Sequence, residues 1–404
     1  MRVFFFITGF LILLLIEIGR IYFIMPFPGS QQSNTIDLAY FLQSHLGLIR
    51  LAGFSIMTYP LYWVFKSDSR GIKWTVSALL VFYVLIFYLF NYRFLADKMF
   101  YQPKNKILAT VANNKVDSRQ LVLGVFRNGD ARAYPIEIIG YHHQVRDVVG
   151  GEPIMVTYCT VCRTGRVFSP NVDGTMENFR LVGMDHFNAM FEDSSTHSWW
   201  RQVSGEAIAG VLKGKALNEI PSEQMTLSAW INEHPGTLIL QPDTLFSKEY
   251  EGLKNYGEGS TKGSLTRSDS ASWKNKSWVV GVQMGLYAKA YDWNDLKKYH
   301  VINDSLAGTP IVVVLENDGA SFHVWKRIAG QDTLIFTYDF ALRDIIDKKT
   351  GDSWNWSGRC LEGNRKGAQL QELQSYQEFW HSWRTFHPQT TQYKFVAKTS
   401  KARA

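Results

Sequence analysis

The sequence predicts an α+β, strand-dominated protein in which an N-terminal three-helix membrane region precedes a soluble region made of two duplicated β-rich units. Three observations predict this class: long apolar runs confined to about the first hundred residues, short alternating runs after them, and an internal repeat. The 404 residues are 46% hydrophobic and 14% aromatic, which excludes a disordered or collagen-like chain. Three cysteines are too few for a disulfide scaffold.

Three apolar stretches predict membrane-spanning helices. They cover about residues 3–23, 46–65 and 74–90, and each is close to the roughly 20 residues that cross a bilayer. The first stretch contains Glu17 and Arg20, which lie on one helical face and can pair. A cleaved signal peptide is the alternative for this stretch, but no small-residue cleavage site follows it.

Charges in the short loops predict the orientation. Lys66, Arg70 and Lys73 lie between the second and third stretches, whereas residues 25–45 contain no Lys or Arg. By the positive-inside rule the second loop is cytoplasmic, so the chain beyond Phe90 lies outside the cytoplasm. The predicted location is therefore the cell (inner) membrane, crossed several times, with an extracytoplasmic C-terminal region.

The charge distribution argues against a nucleic-acid partner. The formal net charge is +7, but most of it comes from residues beside the apolar stretches, and no later basic block carries interleaved aromatic residues. The predicted partners are the lipid bilayer and a membrane protein, because three spans with few charges suit an anchor or a small assembly better than a transporter.

Turn and helix signals predict the elements of the soluble region. Asn128-Gly129 between two alternating runs predicts a β-hairpin, and a second hairpin is predicted from strands at 166–168 and 179–182. Helices are predicted at 226–233 and 374–386, each ended by His-Pro.

An internal repeat divides the soluble region into two copies. A first set of nine residues recurs without a gap at an offset of 153, and a second set of six recurs at an offset of 157. The first set is Gly205, Gly210, Lys213, Gly214, Leu217, Trp230, His234, Pro235 and Thr237, and the second is Gly124, Ala133, Tyr134, Asp147, Gly151 and Pro153. Residues that both copies keep are interpreted as structural, so Trp230 and His234 are assigned to packing and to ending a helix.

The repeat also predicts the domain boundaries. We expect a membrane region at 1–104, a first β-rich unit with a Cys-x-x-Cys motif at 107–240, a connector at 241–274, a second β-rich unit at 275–395 and a tail at 396–404.

The cysteine pair belongs to the first copy alone. Cys159 and Cys162 follow an apolar run that predicts a strand, and the second copy has Glu316 and Gly319 at the corresponding positions. A Cys-x-x-Cys turn brings two sulfurs close enough to ligate one metal ion or to form a disulfide. Attached haem is not expected, because Arg163 occupies the place of the axial histidine.

A metal site on this pair needs further ligands. Two histidines precede the strand, where Asp147 could orient one imidazole, and a histidine and a methionine follow the second predicted hairpin. The predicted metal ligands are Cys159, Cys162, His142, His143, His186 and Met190. Soft sulfur donors with imidazole favour copper or zinc over magnesium or calcium.

Two alternatives to metal binding remain open. Cys159 and Cys162 could act as an extracytoplasmic thiol-disulfide oxidoreductase, since Arg163 beside the second thiol would lower its pKa. Alternatively, a disulfide merely staples the turn of a non-catalytic binding or structural domain. No phosphate loop, dinucleotide fingerprint or Ser-His-Asp set stands out, so we expect no nucleotide cofactor and predict no reaction.

Several short motifs follow one another between residues 133 and 210. They are Ala133-Tyr134-Pro135, His142, Asp147, Gly150 to Pro153, Val156 to Cys159, Cys162, Ser198 to Gln202, Gly205-Glu206-Ala207 and Gly210. Their order and spacing resemble those of the bacterial "domain of unknown function 3179" family, and the resemblance covers about residues 107–395. The resemblance implies an uncharacterised extracytoplasmic domain whose shared His142 is the preferred third ligand, and it brings no established reaction. The chain departs from the family at His143, Arg146 and Thr160-Val161, where Glu, Asn and Pro-Leu are usual.

Overall fold

The computed structural model describes residues 1–261 and 263–395, so the predicted tail at 396–404 lies outside the described residues. The chain forms two compact units. The first comprises Met1–Gln102 and Pro170–Asn218, and the second comprises Pro103–Ser169 and the chain from Glu219 onwards.

Five helices form the N-terminal region of the first unit. They are α1 (Arg2–Tyr22), α2 (Ile36–Ser44), α3 (Leu46–Lys66), α4 (Arg70–Tyr88) and α5 (Ala96–Met99). Three helices, namely α1, α3 and α4 with its continuation to Arg93, are long and apolar enough to cross a membrane. They coincide with the three predicted stretches, whereas the short α2 is not among the predicted helices.

A buried polar network joins these three helices. The Glu17 carboxylate accepts hydrogen bonds from Arg50 Nε at 2.6 Å and Asn91 Nδ2 at 2.8 Å. Arg20 donates to the Phe90 carbonyl oxygen at 2.9 Å and lies 3.6 Å from Glu17. The Glu17–Arg20 pair predicted from the spacing of these residues is therefore present, and Arg50 also pairs with Glu17. Such pairing is what allows charged side chains to be buried between apolar helices.

The first copy continues with fourteen strands and two helices. They are β1 (Leu108–Thr110), β2 (Leu121–Arg127), β3 (Asp130–Pro135), α6 (Ile136–His142), β4 (Gln144–Val149), β5 (Glu152–Cys159), β6 (Thr164–Phe168), β7 (Asn171–Val172), β8 (Thr175–Met176), β9 (Phe179–Asp185), β10 (Asn188–Asp193), β11 (Trp199–Arg201), β12 (Ala207–Ala209), β13 (Glu223–Thr226), α7 (Leu227–Glu233) and β14 (Leu238–Leu240).

After α8 (Ser247–Glu251), the second copy contributes a further fourteen strands and two helices. They are β15 (Trp278–Met284), β16 (Tyr287–Asp292), α9 (Trp293–Tyr299), β17 (Val301–Leu306), β18 (Thr309–Leu315), β19 (Phe322–Lys326), β20 (Ile328–Ala329), β21 (Asp332–Thr333), β22 (Phe336–Asp339), β23 (Asp344–Asp347), β24 (Ser353–Trp354), β25 (Cys360–Glu362), β26 (Gln371–Glu372), β27 (Ser375–Phe379), α10 (Trp380–Phe386) and β28 (Thr391–Gln392).

The two copies have the same strand order. One sheet runs β1-β14-β3-β2-β13 in the first copy and β28-β16-β15-β27 in the second, so only β1 lacks a counterpart. The meander β4-β5-β6 likewise corresponds to β17-β18-β19, to which β26 is added. The predicted boundaries at 107–240 and 275–395 stay predictions, but each copy presents the same scaffold.

The third sheet of the first copy belongs to the first compact unit. It has the order β12-β11-β10-β9 and packs with the N-terminal region. Met184 N–H donates to the Ile24 carbonyl oxygen at 2.7 Å, and Phe187 N–H donates to Gln31 Oε1 at 3.1 Å. The first compact unit therefore contains this four-stranded sheet as well as the apolar N-terminal helices.

Two sequence-based element assignments need correction. The predicted pairing of 166–168 with 179–182 is wrong, because β6 pairs with β5 and β9 pairs with β10. The predicted helix at 374–386 starts only at Trp380, because Ser375–Phe379 pair with β15 as a strand. Tertiary pairing overrides the local helical pattern there.

Packing around the repeated tryptophans matches in the two copies. Trp230 Nε1 donates to Thr237 Oγ1 and Trp383 Nε1 donates to Thr390 Oγ1, both at 2.8 Å. Each indole also packs on the histidine that ends its helix, with ring centroids 4.1 and 3.8 Å apart. These contacts agree with a structural role for the tryptophans and histidines.

The close approach of glycine to each tryptophan gives a stability test. A Cβ added at Gly124 would overlap the Trp230 ring, and one added at Gly281 would overlap the Trp383 ring. We expect Gly124→Ala and Gly281→Ala each to destabilise the protein by about 1–3 kcal/mol through overpacking. Thermal unfolding of the purified chain measures this. Gly236→Ala, which meets nothing within 4 Å, is the control. Destabilisation by only one of the two would contradict equivalent packing.

Candidate metal centre

The cysteine pair lies where the sequence predicts it, on the turn that leaves β5. Cys159 and Cys162 are both buried, and neither they nor Cys360 form a disulfide. Burial raises the pKa of Cys162 well above its usual value, and a hydrogen bond with Cys159 raises it further. The Cys162 thiol is therefore protonated near neutral pH, the opposite of what an activated redox cysteine needs.

Arg163 does not activate this pair. Its guanidinium Nε donates to Gln377 Oε1 at 2.6 Å, and its terminal nitrogens donate to the carbonyl oxygens of Tyr256 and Gly257. It also stacks over the Trp278 ring, 3.6 Å from the ring centroid. The expectation that Arg163 lowers the pKa of Cys162 is wrong, because burial and the hydrogen bond with Cys159 raise that pKa instead.

The two predicted histidine ligands lie at the end of α6 and directly after it, and both have hydrogen-bond partners. His142 Nε2 lies 2.6 Å from the Tyr250 hydroxyl, and His143 Nδ1 lies 3.0 Å from the carbonyl oxygen of Tyr141. Burial lowers the pKa of His143 to about 4. Asp147 does not orient an imidazole, because its carboxylate accepts from the Tyr134 hydroxyl and from Lys106, both at 2.8 Å.

The remaining two predicted ligands belong to the first compact unit, whereas the cysteines belong to the second. His186 Nδ1 lies 2.6 Å from Asp185 Oδ1, and Met190 is buried in β10. Among residues 1–261 and 263–395, no group of three close metal-ligand atoms includes Cys159 or Cys162. The Cys-x-x-Cys metal site thus stays a prediction, and the groups of close ligand atoms lie around a different histidine of the second compact unit.

A different set of side chains does converge. His323 in β19 lies 3.0 Å from Glu316 Oε1 through its Nε2 and 3.0 Å from Glu372 Oε1 through its Nδ1. Two overlapping groups of ligand atoms, each within 4.8 Å of one another, share this histidine. One contains Glu223 and Glu372, and the other contains Glu233 and Glu316. We call these five residues the carboxylate–histidine cluster.

Both copies contribute to the cluster. Glu223 begins β13 and Glu233 ends α7 in the first copy. Glu316 directly follows β18, and Glu372 lies in β26, which pairs with the histidine's own strand. The site therefore requires the two copies to pack against each other within the second compact unit.

The charges of the cluster are unbalanced. Burial lowers the pKa of His323, but the hydrogen bonds that its ring donates to Glu316 and Glu372 outweigh this and raise the pKa well above its usual value. Burial and the nearby Glu372 raise the pKa of Glu223 to about 8. Burial also raises the pKa of Glu233. Four ionised carboxylates around one imidazole would repel one another, so burial and this repulsion favour the protonated forms of Glu223 and Glu233, and a bound cation would relieve the repulsion.

The corresponding position in the first copy has different chemistry. Arg166 pairs with Thr157 across its hairpin as His323 pairs with Val314. Its guanidinium donates to Glu378 at 2.6 Å, so the protein supplies a permanent cation there. In the second copy an imidazole takes that place, and Glu316 takes the place of Cys159. His323 and Glu316 differ from their counterparts Arg166 and Cys159 in the first copy. A search of the sequence for residues that only the second copy has would have identified both.

The model of a family described as "Protein of unknown function (DUF3179)" matches residues 103–390. The chain belongs to the DUF3179 family. No curated protein and no solved structure matches the chain. Membership in DUF3179 confirms the resemblance found in the sequence. It assigns no reaction, because the function of this family is unknown and a fold alone does not specify a function.

Thiol labelling distinguishes buried from activated cysteines. We expect none of the three thiols of the native protein to react with iodoacetamide within minutes near neutral pH, because all three side chains are buried and covered. In denaturant all three should react, as counted by mass spectrometry. Fast native labelling of Cys159 or Cys162 would contradict this and favour the oxidoreductase alternative, which stays a prediction.

Proposed function

We propose that this DUF3179 protein is a membrane-anchored, extracytoplasmic metal-binding protein whose ion is held by the carboxylate–histidine cluster. The observation that carries the proposal is the sharing of His323 by two groups of ligand atoms. One group, His323 with Glu233 and Glu316, offers an imidazole nitrogen and two carboxylates, a donor set that proteins use for first-row divalent ions.

The donor set supports a harder ion than the sequence predicts. Carboxylates suit Mg²⁺, Ca²⁺ and Mn²⁺, whereas imidazole suits Zn²⁺, Fe²⁺ and Cu²⁺. A mixture of the two favours Mn²⁺, Fe²⁺ or Zn²⁺. Zinc therefore remains in the proposal, whereas copper(I) is disfavoured because the cluster contains no sulfur donor.

The two nitrogens of His323 support complementary roles. An ion bound at Nε2 would be shared with Glu316, while Glu372 would keep accepting a hydrogen bond from Nδ1 and fix the ring. The side chain of His323 is only 1% exposed, but that of Glu372 is 37% exposed. The cluster is thus shielded on one side and open to solvent on the other, so an ion can reach it.

Metal titration of the full-length protein tests this proposal. After EDTA treatment and dialysis, the chain should bind about one Mn²⁺ or Zn²⁺ per molecule, measured by calorimetry and elemental analysis. His323→Gln and Glu316→Gln should each weaken binding at least about tenfold, because each removes a ligand. Glu372→Gln, at the exposed edge, provides a further variant if the buried replacements fold poorly.

Two controls make the result specific. Glu362→Gln changes an exposed glutamate of β25 outside the cluster and should leave binding unchanged. Cys159→Ser should also leave it unchanged. Binding that survives both His323→Gln and Glu316→Gln, or that is lost with Cys159→Ser, would contradict the assignment.

A further inference from the structure

A cavity of about 680 Å³ lies within the second compact unit, bounded by both copies and the connector. Its size is that of a small-ligand site. Gln120 and Glu137 line it from the first copy, Asn255 from the connector, and Trp278 and Lys297 from the second copy. None of the carboxylate–histidine cluster lines it, so it is a separate feature of the protein.

The cavity has a hydrogen-bonding group that both donates and accepts near neutral pH. The Glu137 carboxylate accepts from Gln120 Nε2 at 2.9 Å and from the backbone N–H groups of Asn255 and Tyr256. Burial raises the pKa of Glu137 to about 7. The carboxyl group is therefore fixed in position and is present in both protonation states.

One wall of the cavity is a fixed aromatic ring. Trp278 is partly exposed, and its Nε1 donates to Ser268 Oγ at 2.6 Å. Arg163 stacks on the indole from the buried side of the protein. The ring also borders an adjoining cavity of about 230 Å³, which shares Trp278, Glu258 and Lys297 with the larger one. Because these contacts hold the Trp278 ring in place, a ligand with a flat apolar face can stack on it without ordering the side chain first.

The charges of the lining carry both signs. Arg119 pairs with Asp117 at 2.7 Å, and Lys254 pairs with Glu251 at 3.4 Å, so much of this charge is already balanced. A strongly anionic or cationic ligand would meet like charges as often as opposite ones. The lining instead suits an uncharged ligand that has many hydroxyl groups and one apolar face.

We propose that this cavity binds a saccharide, with a sugar ring against Trp278 and its hydroxyl groups hydrogen-bonded by Glu137, Gln120 and Lys297. The apolar C–H face of a pyranose matches an indole, and its hydroxyls match amide, carboxyl and ammonium groups. The proposal goes beyond metal binding and does not depend on it.

Ligand-observed NMR on the full chain tests the proposal. The protein should be embedded in lipid nanodiscs, because maltoside detergents are themselves saccharides. The probes are glucose, N-acetylglucosamine, cellobiose and chitobiose, with glutamate and lysine in parallel. We expect saturation transfer to at least one saccharide, and it should persist after EDTA treatment, which separates this result from that of the metal proposal.

Variants tie the binding to the cavity. Glu137→Gln and Lys297→Ala should each weaken saccharide binding at least about threefold, the loss of about one hydrogen bond. Lys298→Ala is the matched control, because this neighbouring lysine is exposed and does not line the cavity. Failure of all four saccharides to bind, binding of the amino acids alone, or equal binding by all three variants would overturn the proposal.

Discussion

The buried ion pair between Arg166 and Glu378 is the constraint on which the arrangement of the two copies depends. Arg166 lies in the hairpin of the first copy and Glu378 in β27 of the second, 2.6 Å apart and both shielded from water. Removing one partner of such a pair typically costs about 3–5 kcal/mol, because the other charge is left unpaired. The adjacent hydrogen bond from Arg163 to Gln377 also joins the first copy to β27. Together they hold the β5–β6 hairpin against β27 in one register.

The same packing of the two copies brings residues of the first copy to His323, the second copy's counterpart of Arg166. There β13 and α7 of the first copy face β18 and β19, which places Glu223 and Glu233 beside His323. One scaffold thus carries two versions of the same position. In the first copy a guanidinium is paired with a carboxylate inside the protein, and in the second an imidazole is surrounded by four glutamates, where burial and mutual repulsion raise the pKa of Glu223 and Glu233. The crowding of carboxyl groups on a rigid support is what makes the second position a candidate for binding an external cation.

The sequence predicts local features well and the site poorly, for physical reasons. Apolar runs of about 20 residues are sufficient to specify α1, α3 and α4, and Asn128-Gly129 specifies the β2–β3 turn through its backbone preference. The carboxylate–histidine cluster combines residues far apart in the chain, so no local spacing reveals it. The sequence predicts a metal site at the cysteine pair because Cys-x-x-Cys is a short motif that is visible in the sequence. The burial of the cysteines and the hydrogen bond between His142 and Tyr250 depend on the folded chain, so the sequence does not show them.

The most direct test of the account is the position of a bound ion in crystals of the full-length protein grown with Mn²⁺ or Zn²⁺. Anomalous diffraction locates such an ion without assumptions about its ligands. We expect one strong anomalous peak about 2.0–2.2 Å from a ring nitrogen of His323 and from at least one carboxylate oxygen of the cluster. A peak about 2.3 Å from the sulfurs of Cys159 and Cys162, with none beside His323, would contradict it.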